Sequence, residues 1–159
     1  MMMINMRVKI AVALTATFSI IGACTAISRN TSTMATTAQP TIMLVAQLAG
    51  SNEVPPNTSP ASGMVKASLN TQTNLLSWTV TYAGLTGPAS AGHFHGPAAS
   101  GTNAGVVLPL SGDLQSPIKG MATLNAAQTN DLIAGKWYMN LHTSANPNGE
   151  IRGQVSVKP

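Results

Sequence analysis

The residues with the clearest capacity for chemistry are histidines, two of which form the triplet His93-Phe94-His95. Side chains alternate between the two faces of a strand, so Phe94 points one way and both imidazoles point the other. Their Cα atoms are then about 6.6 Å apart. At that spacing two rings can converge on one cation at about 2.0 to 2.1 Å. If Phe94 lies in the core, both imidazole rings point away from the core on the same side of the strand.

His142 is the third histidine of the chain and the only one left to complete a three-nitrogen site. The segment around it alternates between an apolar and a polar side, with Trp137, Met139 and Leu141 on the first and Tyr138, Asn140 and His142 on the second. Ligation by imidazoles alone suits copper or zinc, and Cu(II) has the higher intrinsic affinity. The imidazole rings must be neutral to bind a metal ion, so metal binding should fail below about pH 6. The alternative is that all three rings are simply solvated.

Asn140, Glu150 and Arg152 are candidates to orient a ligating ring. Glu150 and Arg152 lie two residues apart on one face of a predicted strand, and Asn140 shares the side of His142. Groups that hydrogen-bond a ligand fix its orientation and tautomer. The alternative for Glu150 and Arg152 is an exposed ion pair that contributes less than about 1 kcal/mol.

Composition excludes several other classes of site. The whole chain has four acidic residues, Glu53, Asp113, Asp131 and Glu150, so mechanisms that need paired carboxylates have few candidates. The single cysteine, Cys24, excludes an intramolecular disulfide and a thiolate zinc cluster. No phosphate-binding loop or serine-hydrolase motif is present.

The first 24 residues resemble the leader of a bacterial lipoprotein. Arg7 and Lys9 precede the apolar run 10–21, which is shorter than the ~20 residues needed to span a bilayer. The run ends in Ile-Gly-Ala-Cys, similar to a lipobox, in which cleavage before Cys24 leaves that residue to carry the lipid. This predicts a signal peptide at 1–23, a lipidated cysteine and flexible tether at 24–40, and a folded domain at 41–159. The protein would then be extracytoplasmic, periplasmic or at the cell surface, with the membrane as its partner through the lipid anchor.

The leader also allows one alternative. The protein could instead be secreted in soluble form after cleavage by the ordinary signal peptidase. In either case removal of the leader leaves 6 basic and 4 acidic residues, a net charge of +2. That charge is too small to indicate nucleic-acid binding.

The folded part has the pattern of a sheet-rich protein. Short apolar or alternating segments, separated by turn residues, predict eight strands at 41–48, 64–69, 75–82, 91–95, 105–110, 118–124, 136–143 and 150–157. One short helix is predicted at 125–134, with Asn125 as its N-cap and Gly135 after its end. The expected fold is all-β, an antiparallel Greek-key sandwich or flattened barrel.

Four motifs resemble the signatures of the chordin-type CHRD domain. They are AQLAGSNEVPP at 46–56, GHFHGPA at 92–98, NLHT at 140–143 and PNGEIRGQ at 147–154. The resemblance covers about residues 43–157. It implies an extracytoplasmic β-sandwich module, found in bacterial secreted proteins and in animal chordin, without established catalytic residues. The motifs include the positions of His93, His95 and His142.

The His93-x-His95 pair is also similar to part of the copper site of copper-zinc superoxide dismutase. This chain lacks the bridging histidine, the zinc-site aspartates and the disulfide of that family. This likeness therefore implies a mononuclear copper site and no dismutase activity.

The sequence thus predicts a membrane-tethered protein that binds copper or zinc, for metal buffering, delivery or tolerance. One alternative is an adhesion or matrix module that presents the loop 96–105 to a protein or glycan partner, with the histidines bracing that loop. The other is a copper redox enzyme with an open coordination position. Catalysis is not the expected function.

Overall fold

The computed structural model describes residues 40–159. The predicted signal peptide, Cys24 and all of the predicted tether except Pro40 lie outside the described residues. Residues Thr37–Pro159 form one compact unit, and the described hydrophobic core lies entirely within it. A fragment of residues 37–159 is therefore expected to fold on its own. Among residues 40–159, no helix has the length and apolar character that crossing a membrane requires.

The described part of the chain contains nine strands, one α-helix and a short 3-10 helix at Gly50–Asn52. The strands are β1 (Thr41–Ala49), β2 (Ser62–Asn70), β3 (Leu75–Ala83), β4 (Ala89–His95), β5 (Val106–Pro109), β6 (Ile118–Thr123), β7 (Tyr138–Thr143), β8 (Ile151–Gln154) and β9 (Ser156–Val157). Helix α1 spans Ala126–Ile133. The predicted strand 150–157 is divided in two, and every other predicted strand is present with its ends shifted by a few residues.

All strand pairs are antiparallel, and the strands form one sheet in the order β5-β4-β7-β8-β1-β2-β3-β6, with β9 paired to β1. Strands β3 and β4 are five places apart, which in a flat sheet would separate them by about 24 Å. Yet Trp78 of β3 and Phe94 of β4 are in contact, with ring centroids 5.4 Å apart. The sheet therefore curls around its core, and the prediction of an all-β antiparallel fold with one short helix is confirmed.

Alternation along the strands places the core inside this curled sheet. In β3, Leu76, Trp78 and Val80 are buried, whereas Ser77 and Thr79 are only half-buried. The predicted hairpin of β2 and β3 is present in full register. Period-two patterning was therefore sufficient to assign the inner face.

The helix begins and ends where the sequence predicts. The side chain of Asn125 accepts a hydrogen bond from the Gln128 backbone, and the Gln128 side chain accepts one from the Asn125 backbone. This reciprocal pair satisfies two amide groups that the first turn leaves free. Gly135, with φ of +71°, follows the last turn, where a residue with a side chain is disfavoured.

The polar side of β7 is not a solvent-facing surface. Met139 and Leu141 are buried on the core side as predicted, but Tyr138 and Asn140 on the opposite side are each only 3% exposed. Tyr138 contacts the 96–105 loop, since its hydroxyl lies 3.2 Å from both the backbone nitrogen and the carbonyl oxygen of Ala104. Tyr138 and Asn140 therefore lie in a second buried layer, between the sheet and its loops.

Candidate metal centre

Strands β4 and β7 bring the three histidines to one side of the sheet. In their antiparallel pairing His93 lies opposite Asn140, and His142 lies opposite Ala91. Directly opposed residues point to the same side. Phe94, between His93 and His95, points the other way and is fully buried, so both neighbouring rings leave the core together.

The ring nitrogens of the three histidines converge. Each ring offers one nitrogen, and these nitrogens all lie within 4.8 Å of one another. His93 Nδ1 and His142 Nε2 are 3.1 Å apart. Two nitrogens bound to one tetrahedral ion at about 2.05 Å would be about 3.3 Å apart. The three rings could therefore hold a metal ion with little movement, and their predicted proximity is confirmed.

Backbone carbonyl groups fix the tautomer of two of the rings. His95 Nδ1 lies 3.0 Å from the Ala104 carbonyl oxygen, and His142 Nδ1 lies 2.9 Å from that of Pro147. A carbonyl oxygen only accepts hydrogen bonds, so each Nδ1 carries the hydrogen and donates it. In the neutral rings the Nε2 atoms are left with lone pairs, which is the form that binds a metal.

The surroundings favour neutral imidazoles. Burial lowers the pKa of His93 below its ordinary value, and the nearby His142 and His95 lower it further. Burial also lowers the pKa of His95, against the opposing effect of its hydrogen bonds with Ala104 and Asn140. Both shifts favour the uncharged ring, which is the form that binds a metal.

Asn140 lies in the middle of the cluster. Its Oδ1 atom is 3.0 Å from His95 Nε2 and 3.0 Å from His142 Nε2. It therefore contacts two of the three rings directly, as a residue predicted to orient them should. Whether it acts in metal binding stays a prediction at this point.

Glu150 does not form the exposed ion pair that was one interpretation of its spacing from Arg152. Its side chain is fully buried, and its carboxylate accepts hydrogen bonds from the hydroxyl groups of Ser59, Thr86 and Thr143 and from the Thr86 backbone. Burial raises its pKa, but these hydrogen bonds outweigh burial and lower it to about 2. Glu150 thus fixes Thr143, the neighbour of His142, rather than an imidazole ring.

Arg152 is also buried and reaches the histidines through an aromatic ring. Its guanidinium carbon lies 3.4 Å from the centre of the Tyr138 ring, which stacks parallel on His95 with centroids 4.7 Å apart. The guanidinium donates to Asn103 Oδ1 and to the Thr102 carbonyl oxygen. Arg152 therefore fastens the 96–105 loop and, through Tyr138, one face of the His95 ring.

Glu53 is a site residue that the sequence analysis did not select. It is 5% exposed, and burial raises its pKa to about 7, despite the opposing charge of Arg152 and hydrogen bonds from Asn140 and the Val54 backbone. Within the described residues its Oε1 atom has no hydrogen-bond partner. The one available signal was its position in the first CHRD-like motif, because no spacing rule connects a loop residue to strands 40 and 90 residues away.

A cavity of about 360 Å³ lies beside the cluster, lined by residues that include Glu53, His95, Asn103, Tyr138, Asn140 and His142. It leads from solvent to two of the three rings. Ions and small molecules therefore have a route to the site.

Comparison with known proteins agrees with the motifs. The CHRD domain family matches residues 44–155, a span that contains the three histidines, Asn140, Glu53, Glu150 and Arg152. No curated protein and no solved structure matches the chain. Because the family matches most of its length, the chain belongs to the CHRD domain family.

Proposed function

We propose that this CHRD-domain protein binds a single copper or zinc ion through His93, His95 and His142. The observation that carries the proposal is the convergence of three ring nitrogens within 4.8 Å. Two of these rings have their other nitrogen hydrogen-bonded to a backbone carbonyl group. Solvated histidines would not be expected to share one volume with their tautomers fixed in the metal-binding form.

The proposed setting is the outer side of a bacterial membrane, with Cys24 as the lipid-bearing residue. The support for this part comes from the leader pattern and the lipobox-like Ile-Gly-Ala-Cys alone. A protein held there could buffer metal ions, deliver them or protect the cell against them. Mass spectrometry of the membrane-extracted protein should find a chain that begins at Cys24 and carries acyl groups.

The interaction-module alternative has one observation in its favour. The His95 ring donates a hydrogen bond to Ala104 in the 96–105 loop, as expected if the histidines brace a loop that contacts a partner. Capture of a partner that is unaffected by chelator and by substitution of His93 would favour this alternative.

Calorimetric titration of residues 37–159 with Zn(II) and with weakly complexed Cu(II) tests the metal proposal. We expect one ion per chain, with a dissociation constant below roughly micromolar, as for a site with three protein ligands. His95→Ala should weaken binding by at least about 100-fold, since even loss of a group that only orients a ligand costs 10 to 100-fold.

Thr79→Ala, in the same sheet but far from the cluster on β3, serves as the matched control and should bind as tightly as the unmodified fragment. Circular dichroism should show that both variants fold. Binding weaker than micromolar, or equal affinity in His95→Ala, would contradict the proposal.

A further inference from the structure

Asn140 lies at the centre of the cluster, among atoms that can only accept hydrogen bonds. Its Oδ1 atom lies 3.0 Å from the Nε2 atoms of both His95 and His142. The Nδ1 atoms of these two rings already donate to carbonyl groups. A neutral imidazole has only one N–H, so both Nε2 atoms are acceptors. The amide oxygen is an acceptor as well.

The Asn140 oxygen therefore faces two other acceptor atoms at hydrogen-bond distance. His93 Nδ1 can donate one hydrogen to His142 Nε2, at 3.1 Å, but that leaves the contacts with Asn140 unsatisfied. Buried acceptors at such distances repel one another unless a proton or a cation lies between them.

Rotation of the amide, which would turn its NH₂ group toward the rings, is opposed by Glu53. The Asn140 Nδ2 atom and the Glu53 Oε1 atom both lie against Gly149, where a Cβ atom would stand, so the NH₂ group is on the Glu53 side of the amide. Rotation would replace that donor with an oxygen atom against a nearly buried carboxyl group. Glu53 thus holds the amide with its oxygen directed at the histidines.

We infer that Asn140 Oδ1 is the fourth ligand of the metal ion, in a closed site with three imidazole nitrogens and one amide oxygen. The inference rests on the proposed function. Its geometric support is three distances between proposed ligand atoms. His93 Nδ1 is 3.1 Å from His142 Nε2, and Asn140 Oδ1 is 3.0 Å from the Nε2 atoms of both His95 and His142. Each is near the ~3.3 Å that separates two ligand atoms in a tetrahedral site. Glu53 is then a positioning residue that acts through Asn140.

The closed site restricts what the protein does with its ion. Zinc sites in which four protein groups fill the coordination sphere are structural, whereas catalytic sites keep a position for water or substrate. A hard amide oxygen also disfavours Cu(I), which prefers sulfur ligands. The site then suits reversible storage of Zn(II) or Cu(II) and does not suit turnover of a substrate on the metal.

Addition of azide to the Co(II)-loaded fragment 37–159 tests the inference. Co(II) accepts the same nitrogen and oxygen ligands as Zn(II), and its visible absorption reports the coordination sphere. With Asn140 as a ligand, azide should leave the spectrum of the unmodified fragment unchanged. Asn140→Ala should open one position, so that azide produces a saturable change in absorption. The cavity beside the rings gives azide access in both proteins.

Asn140→Asp is the conservative control, because a carboxylate oxygen can replace the amide oxygen. Its Co(II) spectrum should be insensitive to azide, which a purely structural role of Asn140 would not predict. A saturable azide response in the unmodified fragment would overturn the inference while leaving three-histidine binding intact. Failure of Co(II), Zn(II) and Cu(II) all to bind would instead overturn the proposed function itself.

Discussion

Glu150→Gln is expected to lower the free energy of unfolding of residues 37–159 by about 3 kcal/mol at pH 7. The carboxylate accepts hydrogen bonds from Ser59, Thr86 and Thr143 in a fully buried position. A hydrogen bond to a charged group contributes roughly 1.5 to 3 kcal/mol. The glutamine amide would direct N–H groups at some of these donors, so more than one such bond is lost. Urea-induced unfolding measures the difference.

The same carboxylate predicts how stability depends on pH. Its pKa is lowered to about 2 in the folded protein, from 4.5. A group with a depressed folded pKa contributes stability above its unfolded pKa and loses that contribution as the pH falls through the folded value. The unmodified fragment should therefore lose stability between pH 4.5 and 2, and Glu150→Gln should lose less over that interval.

Asp113→Asn makes the same chemical change at an exposed carboxylate and should alter the free energy of unfolding by less than about 0.5 kcal/mol. Equal effects of the two substitutions at pH 7 would show that the buried hydrogen bonds of Glu150 do not stabilise the fold.

Saturation with Zn(II) is expected to raise the melting temperature of residues 37–159 by about 10 °C. A ligand that binds only the folded state at 100 times its dissociation constant adds about 2.7 kcal/mol of stability. For a domain of this size each kcal/mol raises the melting temperature by a few degrees. Calorimetric melting with and without Zn(II) measures the shift, and chelation with EDTA should reverse it.

The double variant His93→Ala/His142→Ala supplies the control for this effect. It removes two of the three proposed ligands and leaves the rest of the chain unchanged. Its melting temperature should not respond to Zn(II). A rise as large as that of the unmodified fragment would place the stabilising ion elsewhere.

The strands and the direction of the histidines could be predicted because both depend on alternation. A period of two is a local property, and it correctly placed Phe94 in the core and the rings of His93 and His95 on the opposite side. The capped helix at Asn125 was likewise a local signal. Such patterns require no knowledge of which strands are neighbours.

The buried state of Glu150 and Arg152 could not be predicted in the same way. Alternation gives the side of a strand on which a residue lies, but not whether a loop covers that side. Here Arg152 is covered by the 96–105 loop, to which it is bonded through Asn103 and Thr102, whereas Glu150 is enclosed by the loops that carry Ser59 and Thr86. The path of a loop is not accompanied by any periodic pattern in the sequence, so the pattern cannot predict it.

Glu53 and the central position of Asn140 were missed for a related reason. Both side chains lie against Gly149, which brings a loop near residue 53 next to the middle of β7. That contact exists only because β8 pairs with both β1 and β7 in the curled sheet. Long-range strand order of this kind is a property of the whole fold, and single-sequence patterns contain too little information to give it.

Anomalous X-ray scattering at the copper and zinc edges, from crystals of protein purified without chelators, tests the central claim most directly. The claim predicts one strong anomalous peak, about 2.0 to 2.1 Å from His93 Nδ1, His95 Nε2 and His142 Nε2. Crystals soaked in either metal that show no peak among these three nitrogens, or show it only at other residues, would contradict the claim.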